Sequence, residues 1–267
     1  MSLVFRWLGV AGVELKSGSQ ILAIDPFFTR PSLTGFVKPV IPNAQLVAEK
    51  LPACDIVLVT HSHWDHLMDV PQVLLQTGAM AYGSANTCQL LRLLGVKESQ
   101  MQEVHAGEQL SLDEFAVEVI EGQHSPIPFG RLFNGKLRSG LRLPLRLQDY
   151  RMDVCLGFRI TAMGIRALVC AAGPLPAELL FIVAQEPRDY YQRMFQGVQP
   201  HTVVPIHWDN FLRPLSKPLH RFTRPGRMNL AHLIKMAFQI LPQAKVVLPE
   251  LFCDYTLSDE SFLHPGV

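Results

Sequence analysis

Residues 55–69 read DIVLVTHSHWDHLMD, and the six residues HSHWDH at 61–66 decide how the rest of the chain is read. IVLVT (56–60) is a continuous apolar, β-branched run, as in a strand covered on both faces. Three histidines and an aspartate follow at once. His61 and His63 are two apart, so on extended backbone their side chains point the same way. Asp65 and His66 come where the chain turns toward a helix and can aim at an adjacent point. A lone histidine would read as solvated or packed. Four donors in six residues, at the carboxyl end of a buried strand, read as a metal site.

Outward from this stretch, strands and helices interleave in both directions. Residues 2–8, 11–16 and 20–25 read as short strands, with Gly9, Gly12 and Gly18 at the turns. Helices are expected at 43–51, started by Asn43, at 66–76, and at 84–94 between Ser84 and Gly95. Strands are expected within 101–121, as a hairpin in 153–170, in FIVAQ (181–185) and in HTVVPIH (201–207). Helices at 187–196 and 229–241 follow, and KVVLP (245–249) should close the sheets. There is no internal repeat and no linker, so residues 1–267 should form one layered α/β domain.

The 267 residues are 48% hydrophobic and 18% charged, enough for a sizeable core. A formal net charge of +1 points to no nucleic acid and no membrane surface as a partner. Five cysteines without a CxxC pair read as reduced, mainly buried thiols of a cytoplasmic protein. The N-terminal apolar run is broken by Arg6 and Glu14, so it reads as strands, with no signal peptide and no transmembrane segment.

THSHWDH (60–66) resembles the HxHxDH motif of the metallo-β-lactamase superfamily. WLGVAGVELKSGSQILAIDPFF (7–28) is similar to the opening of its ascorbate-6-phosphate lactonase-like branch. EGQHSP (121–126) and VVPIHW (203–208) resemble the stretches carrying the later histidine ligands. The resemblance implies a four-layer αββα sandwich. It also implies one ion held by His61, His63 and His124, and a second held by Asp65, His66 and His207. Zinc suits these donors, and manganese or iron is compatible. Three protein ligands per ion leave a position for water, and two ions about 3.5–4 Å apart would share a hydroxide that Asp65 positions. Asp25, ending ILAID, resembles the position that supports the metal loop from behind; a turn aspartate before Pro26 is the other reading.

One part of the family pattern is missing. LVCAAGPL (168–175) puts Gly173 where a bridging aspartate is expected, which should weaken the second ion. Cys170 lies three residues earlier, an odd offset that on a strand points it to the other face. His105, His201, His220, His232 and His264 match no ligand position, and Asp209 reads as a loop carboxylate.

Positive charge is concentrated. Segments 131–151 and 211–228 hold 11 of the 24 basic residues and one of the 23 acidic ones. That leaves 13 basic against 22 acidic residues elsewhere, a net of −9. Each segment follows a proposed ligand, so 125–152 and 209–228 are expected to form a rim or lid. Arg138, Arg142, Arg213 and Arg221 would draw in an anionic small-molecule substrate. Phe129, Phe133, Phe211 and Phe222 would suit an apolar tail. A homo-oligomer contact is the alternative use of these segments.

The expected activity is metal-dependent hydrolysis of an anionic or amphiphilic ester, lactone or phosphodiester by a metal-bound hydroxide. The alternatives are a single-iron redox enzyme of the same fold and a metal-binding protein whose catalysis has decayed.

Overall fold

The structure, a computed structural model, describes residues 2–126, 130–184, 186–221, 229–258 and 261–265. Two sheets face each other. The first is built from β1 (Leu3–Gly9), β2 (Gly12–Ser17), β3 (Gln20–Ile24), β4 (Ile56–Leu58), β5 (Met80–Gly83) and β6 (Met101–Glu103), side by side in chain order. The second runs from β7 (Gln109–Leu112) through β8 (Phe115–Glu121), β9 (Leu156–Ala162), β10 (Ile165–Val169), β11 (Leu179–Val183) and β12 (Thr202–Ile206) to β13 (Lys245–Val246). A final hairpin, β14 (Asp254–Ser258) and β15 (Ser261–Pro265), returns to the first sheet and pairs with β1.

Pleat alternation explains the layering. In β3, Leu22 and Ile24 enter the core between the sheets, while Ala23 faces outward. In β4, Ile56 and Leu58 point inward, and Val57 joins the outer cluster. Outside the first sheet lie α1 (Ala44–Lys50), α3 (Val70–Thr77) and α4 (Ala85–Leu93), which bury Val47, Val73, Leu74, Leu90 and Leu91 there. The single turn α2 (Trp64–Leu67) precedes α3, and the short α5 (Gly130–Phe133) follows β8. Tyr191, Phe195, Leu233 and Ala237, from α6 (Arg188–Val198) and α7 (Leu230–Ile240), pack against the second sheet. The result is four layers, αββα.

Local chemistry sets the ends of these elements. Asn43, Ser84 and Asn229 cap α1, α4 and α7, each side-chain oxygen accepting a backbone N–H of the first turn. Gly78 ends α3 at φ 78°, a left-handed conformation that a Cβ would strain. Pro205 sits inside β12, yet β13 pairs only with Thr202 and Val203. Beyond them the strand has an open edge, where the absent N–H of proline is tolerated.

The sequence expectation fails at the C-terminal end. KVVLP does not close the sheets: only Lys245 and Val246 form a strand, on the outer edge of the second sheet. The polar DYTLS stretch is instead the strand that meets β1, pairing Leu3 with Leu257 and Phe5 with Tyr255.

Candidate metal centre

The candidate ligands, and the polar side chains that flank them, lie just beyond the carboxyl ends of strands. Asp25 follows β3, the HSHWDH loop follows β4, His124 follows β8, Cys170 follows β10, and His207 follows β12. Two main-chain bonds hold these ends together. Leu156 N donates to Thr60 O at 2.7 Å, and His207 N donates to Val10 O at 2.7 Å. Asp25, Cys170 and His207 all have positive φ, at 44°, 55° and 55°. Non-glycine residues accept this backbone where the surrounding structure holds it.

Six side chains converge in two groups. His61, His63 and His124 form one; Asp65, His66 and His207 form the other, with the donor atoms of each group within 4.8 Å of one another. Ring centroids of His61 and His66 are 3.9 Å apart, which joins the groups. His207 Nε2 lies 3.5 Å from Asp65 Oδ2.

Hydrogen bonds behind the rings select the nitrogen that faces inward. Asp25 Oδ2 accepts from His66 Nδ1 at 2.7 Å and from the Thr60 hydroxyl. Asp25 Oδ1 accepts from Thr60 N at 2.8 Å. With its proton committed to Asp25, the Thr60 oxygen accepts from His61 Nδ1 at 3.0 Å. The lone pairs left over are Nε2 of His61 and Nε2 of His66. For His63 the order reverses: Nε2 donates to Phe133 O and to Asn134 Oδ1, both at 3.2 Å, leaving Nδ1.

His61 Nε2 is buried and has no hydrogen-bond partner. Such an orphan costs free energy unless something absent from the protein itself satisfies it. The surrounding imidazoles make a cation the fitting partner. Burial and the neighbouring rings push His61 well below its ordinary value, and burial lowers His124 to about 3. Both stay neutral, lone pair available, at physiological pH. Burial opposes protonation of His66, but the Asp25 and Asp65 carboxylates raise it to about 9, so a cation bound there would displace its Nε2 proton. Burial opposes ionisation of Asp65, yet His66 and His207 hold it well below the carboxylate range.

The cavity beside these groups measures about 50 Å³, and its lining includes His61, His66, His124, His207, Cys170 and Glu186. Here the expectation for Cys170 is overturned. β10 ends at Val169, and the left-handed turn at Cys170 resets the direction of its side chain, so parity counting along a strand no longer applies. Gly173 is not part of this lining, and a Cβ built there would meet nothing within 4 Å.

Asp209 does lie in the loop after β12, but it is not solvated. It is fully buried, 2.6 Å from the buried Arg30 Nη2, and accepts from Val10 N at 3.0 Å. Reading the sequence missed this pair because no local pattern links positions 30 and 209. It missed Glu186 too, which is buried in the cavity wall and accepts a hydrogen bond from Ser125, the neighbour of His124.

The basic segments start beside the cluster. The Phe133 ring centroid is 6.3 Å from that of His63, and Phe211 is 5.6 Å from His207. Arg138 lines an open crevice with Arg131 and Leu132, and Arg142 is exposed. Arg213 Nε donates to Pro218 O at 2.8 Å, and the backbone of Arg221 pairs with that of Asp209 in an isolated antiparallel β-bridge. Phe129, Phe222, Arg224 and Arg227 lie outside the described residues. His105, His201, His220 and His232 are exposed and outside the two groups.

Residues 21–171, more than half of the chain, match the Beta-lactamase superfamily domain. A UPF0173 metal-dependent hydrolase of Myxococcus xanthus is 31% identical over 120 residues, 45% of this chain and only 38% of that protein. Another, from Polynucleobacter asymbioticus, is 27% identical over 225 residues, 79% of this chain and 75% of that protein. Among solved structures, Igni18, a metallo hydrolase from the archaeon Ignicoccus hospitalis, superposes on 97% of this chain and 100% of its own. The TM-score is 0.65 at 17% identity, a likeness of fold.

Proposed function

Starting from a chain that belongs to the beta-lactamase superfamily domain family and has its αββα sandwich, we propose a metal-dependent hydrolase acting at the six-donor cluster. The observation that carries this reading is the orphaned Nε2 of His61 among converging imidazoles. His61, His63 and His124 would hold one divalent ion, and Asp65, His66 and His207 a second. Zinc fits best, with manganese or iron compatible. When bound, such ions supply a Lewis acid and an acidified water.

The chain's own groups do the rest. Asp25 and Thr60 fix the His61 and His66 rings, and Phe133 O fixes His63, so the donors need no rearrangement to bind. Asp65 is the one carboxylate of the two groups, and it stays ionised beside His66 and His207, placed to orient a reacting water. Phe133 and Phe211 cover the ligand rings and narrow the approach for water. Arg138 and Arg142 on one side, with Arg213 and Arg221 on the other, favour an anionic substrate. The leucines and phenylalanines between them suit an acyl tail. We therefore favour a small or amphiphilic anionic ester, lactone or phosphodiester.

Residues 130–152 and 209–221 would act as the rim. No helix among the described residues is long and apolar enough to cross a membrane. The five cysteines are free, which fits a reducing compartment such as the cytoplasm.

Elemental analysis of purified protein, with a screen of ester, lactone and phosphodiester substrates, tests the reading. About two zinc ions per chain with turnover support it. One iron per chain would favour redox chemistry, and one zinc without turnover would favour decayed catalysis. Unchanged metal content after His61→Ala plus His63→Ala would overturn the site.

A further inference from the structure

Two thiols meet at the cavity wall, which Cys170 lines. Cys155 Sγ and Cys170 Sγ are 3.6 Å apart, on the segments leading into β9 and out of β10, which are antiparallel neighbours. Gly122 makes room for Cys155: a Cβ there would lie 2.8 Å from its Sγ. Cys155 Sγ is 4.0 Å from His61 Nδ1, and Cys170 lines the cavity. We infer that Cys155 and Cys170 form an oxidation site, closing to a reversible disulfide in the presence of a hydroperoxide.

Size selects the oxidant. The space open to the centre of a water-sized molecule is about 50 Å³, a narrow cavity that admits small molecules. Hydrogen peroxide fits this space and glutathione disulfide does not. Cys170, facing the cavity, is the sulfur a peroxide meets first. Its sulfur takes the terminal oxygen: an S–O bond forms, the O–O bond breaks, and the thiol proton leaves with the departing hydroxide as water. Cys155 sulfur then attacks the sulfenic sulfur: the S–S bond forms, the S–O bond breaks, and a second water carries off the Cys155 proton. Peroxide gains two electrons and the thiol pair loses them. A dithiol reductant reverses the change.

The site lies where oxidation has a consequence. The sulfurs must close to about 2 Å. That shifts the atoms packed against His61. This consequence rests on the proposed metal reading; the disulfide does not.

The test treats the purified protein with hydrogen peroxide or, separately, with glutathione disulfide, then counts thiols in denaturant and maps peptides. Peroxide should reduce the free thiols from five by two and give a linked Cys155–Cys170 peptide. Dithiothreitol should restore both thiols, and glutathione disulfide should leave all of them free. In Cys155→Ser, Cys170 should gain two oxygens, a sulfinic acid that dithiothreitol does not reverse. Linkage through Cys54, Cys88 or Cys253, or no loss of thiols with peroxide, overturns the inference. Zinc retention against a chelator should fall about tenfold in the oxidised protein. A linked pair with unchanged retention overturns the coupling, whereas an untreated protein without zinc overturns the metal reading and leaves the disulfide standing.

Discussion

His63 Nε2 lies 3.2 Å from the carbonyl oxygen of Phe133, a bond that ties the HSHWDH loop to the basic segment following His124. The segment is thereby more than a cover. It sets which nitrogen of His63 faces the other donors. Asn134 Oδ1 shares the task at the same distance.

Removing one of those two acceptors should loosen the ring without freeing it. Asn134→Ala is expected to weaken zinc binding by up to about tenfold, the lower end for lost supporting bonds. Competition with a chromophoric chelator measures this. Unchanged affinity would mean that Phe133 O suffices alone.

Asp25 bears more, since it accepts from His66 directly and from His61 through Thr60. Asp25→Asn keeps the shape but loses the charge and one acceptor. It should reduce metal affinity by about 10–100-fold, with the Asp65–His66–His207 group emptied first. Metal content after gel filtration distinguishes loss of one ion from loss of both.

The Arg30–Asp209 pair, which sits behind His207 through Val10, predicts a stability effect. Both side chains are almost fully buried, so Asp209→Ala leaves an uncompensated guanidinium and should cost about 3–5 kcal/mol in urea unfolding. Replacing both with Arg30→Met and Asp209→Leu should cost clearly less than the single change. If it costs more, the pair does not behave as a buried ion pair.

Neutralising the rim separates recognition from chemistry. Arg138→Gln with Arg142→Gln should raise KM several-fold for an anionic ester and leave a neutral ester of the same size nearly unaffected. Equal effects on both esters would remove the steering role.

A pH-dependent contribution is expected where β10 and β11 begin, in the middle of the second sheet. The Arg166 guanidinium bonds to Glu178 and holds its carboxyl below the ordinary value. A depressed value means the contribution is complete above the unfolded-state value and is lost as pH falls through the folded one. Glu178→Gln should therefore cost under about 1 kcal/mol at neutral pH, given the exposure of the pair. That cost should shrink toward zero in acid, as urea midpoints at the two pH values will show.

Much of this architecture was legible in advance because periodicity is local. The apolar run 56–60, the caps at Asn43 and Ser84, and the order of the histidine-bearing stretches all lie in contiguous sequence. What escaped detection was set by distant or irregular backbone. Strand parity placed Cys170 on the wrong face because the strand stops one residue before it and a left-handed turn intervenes. Arg30 and Asp209 meet only through the tertiary fold. The polar DYTLS stretch carries no strong strand signal, and only the exposed edge of β1 recruits it.

That last pairing has a consequence for synthesis. Leu3 finds its partner at Leu257, so as the chain is translated one edge of β1 waits, unbonded, for the most distant strand to arrive. Until then it offers open N–H and C=O groups to any passing strand. A version cut short before Asp254 should therefore be prone to aggregate, even with every cluster donor from His61 to His207 intact.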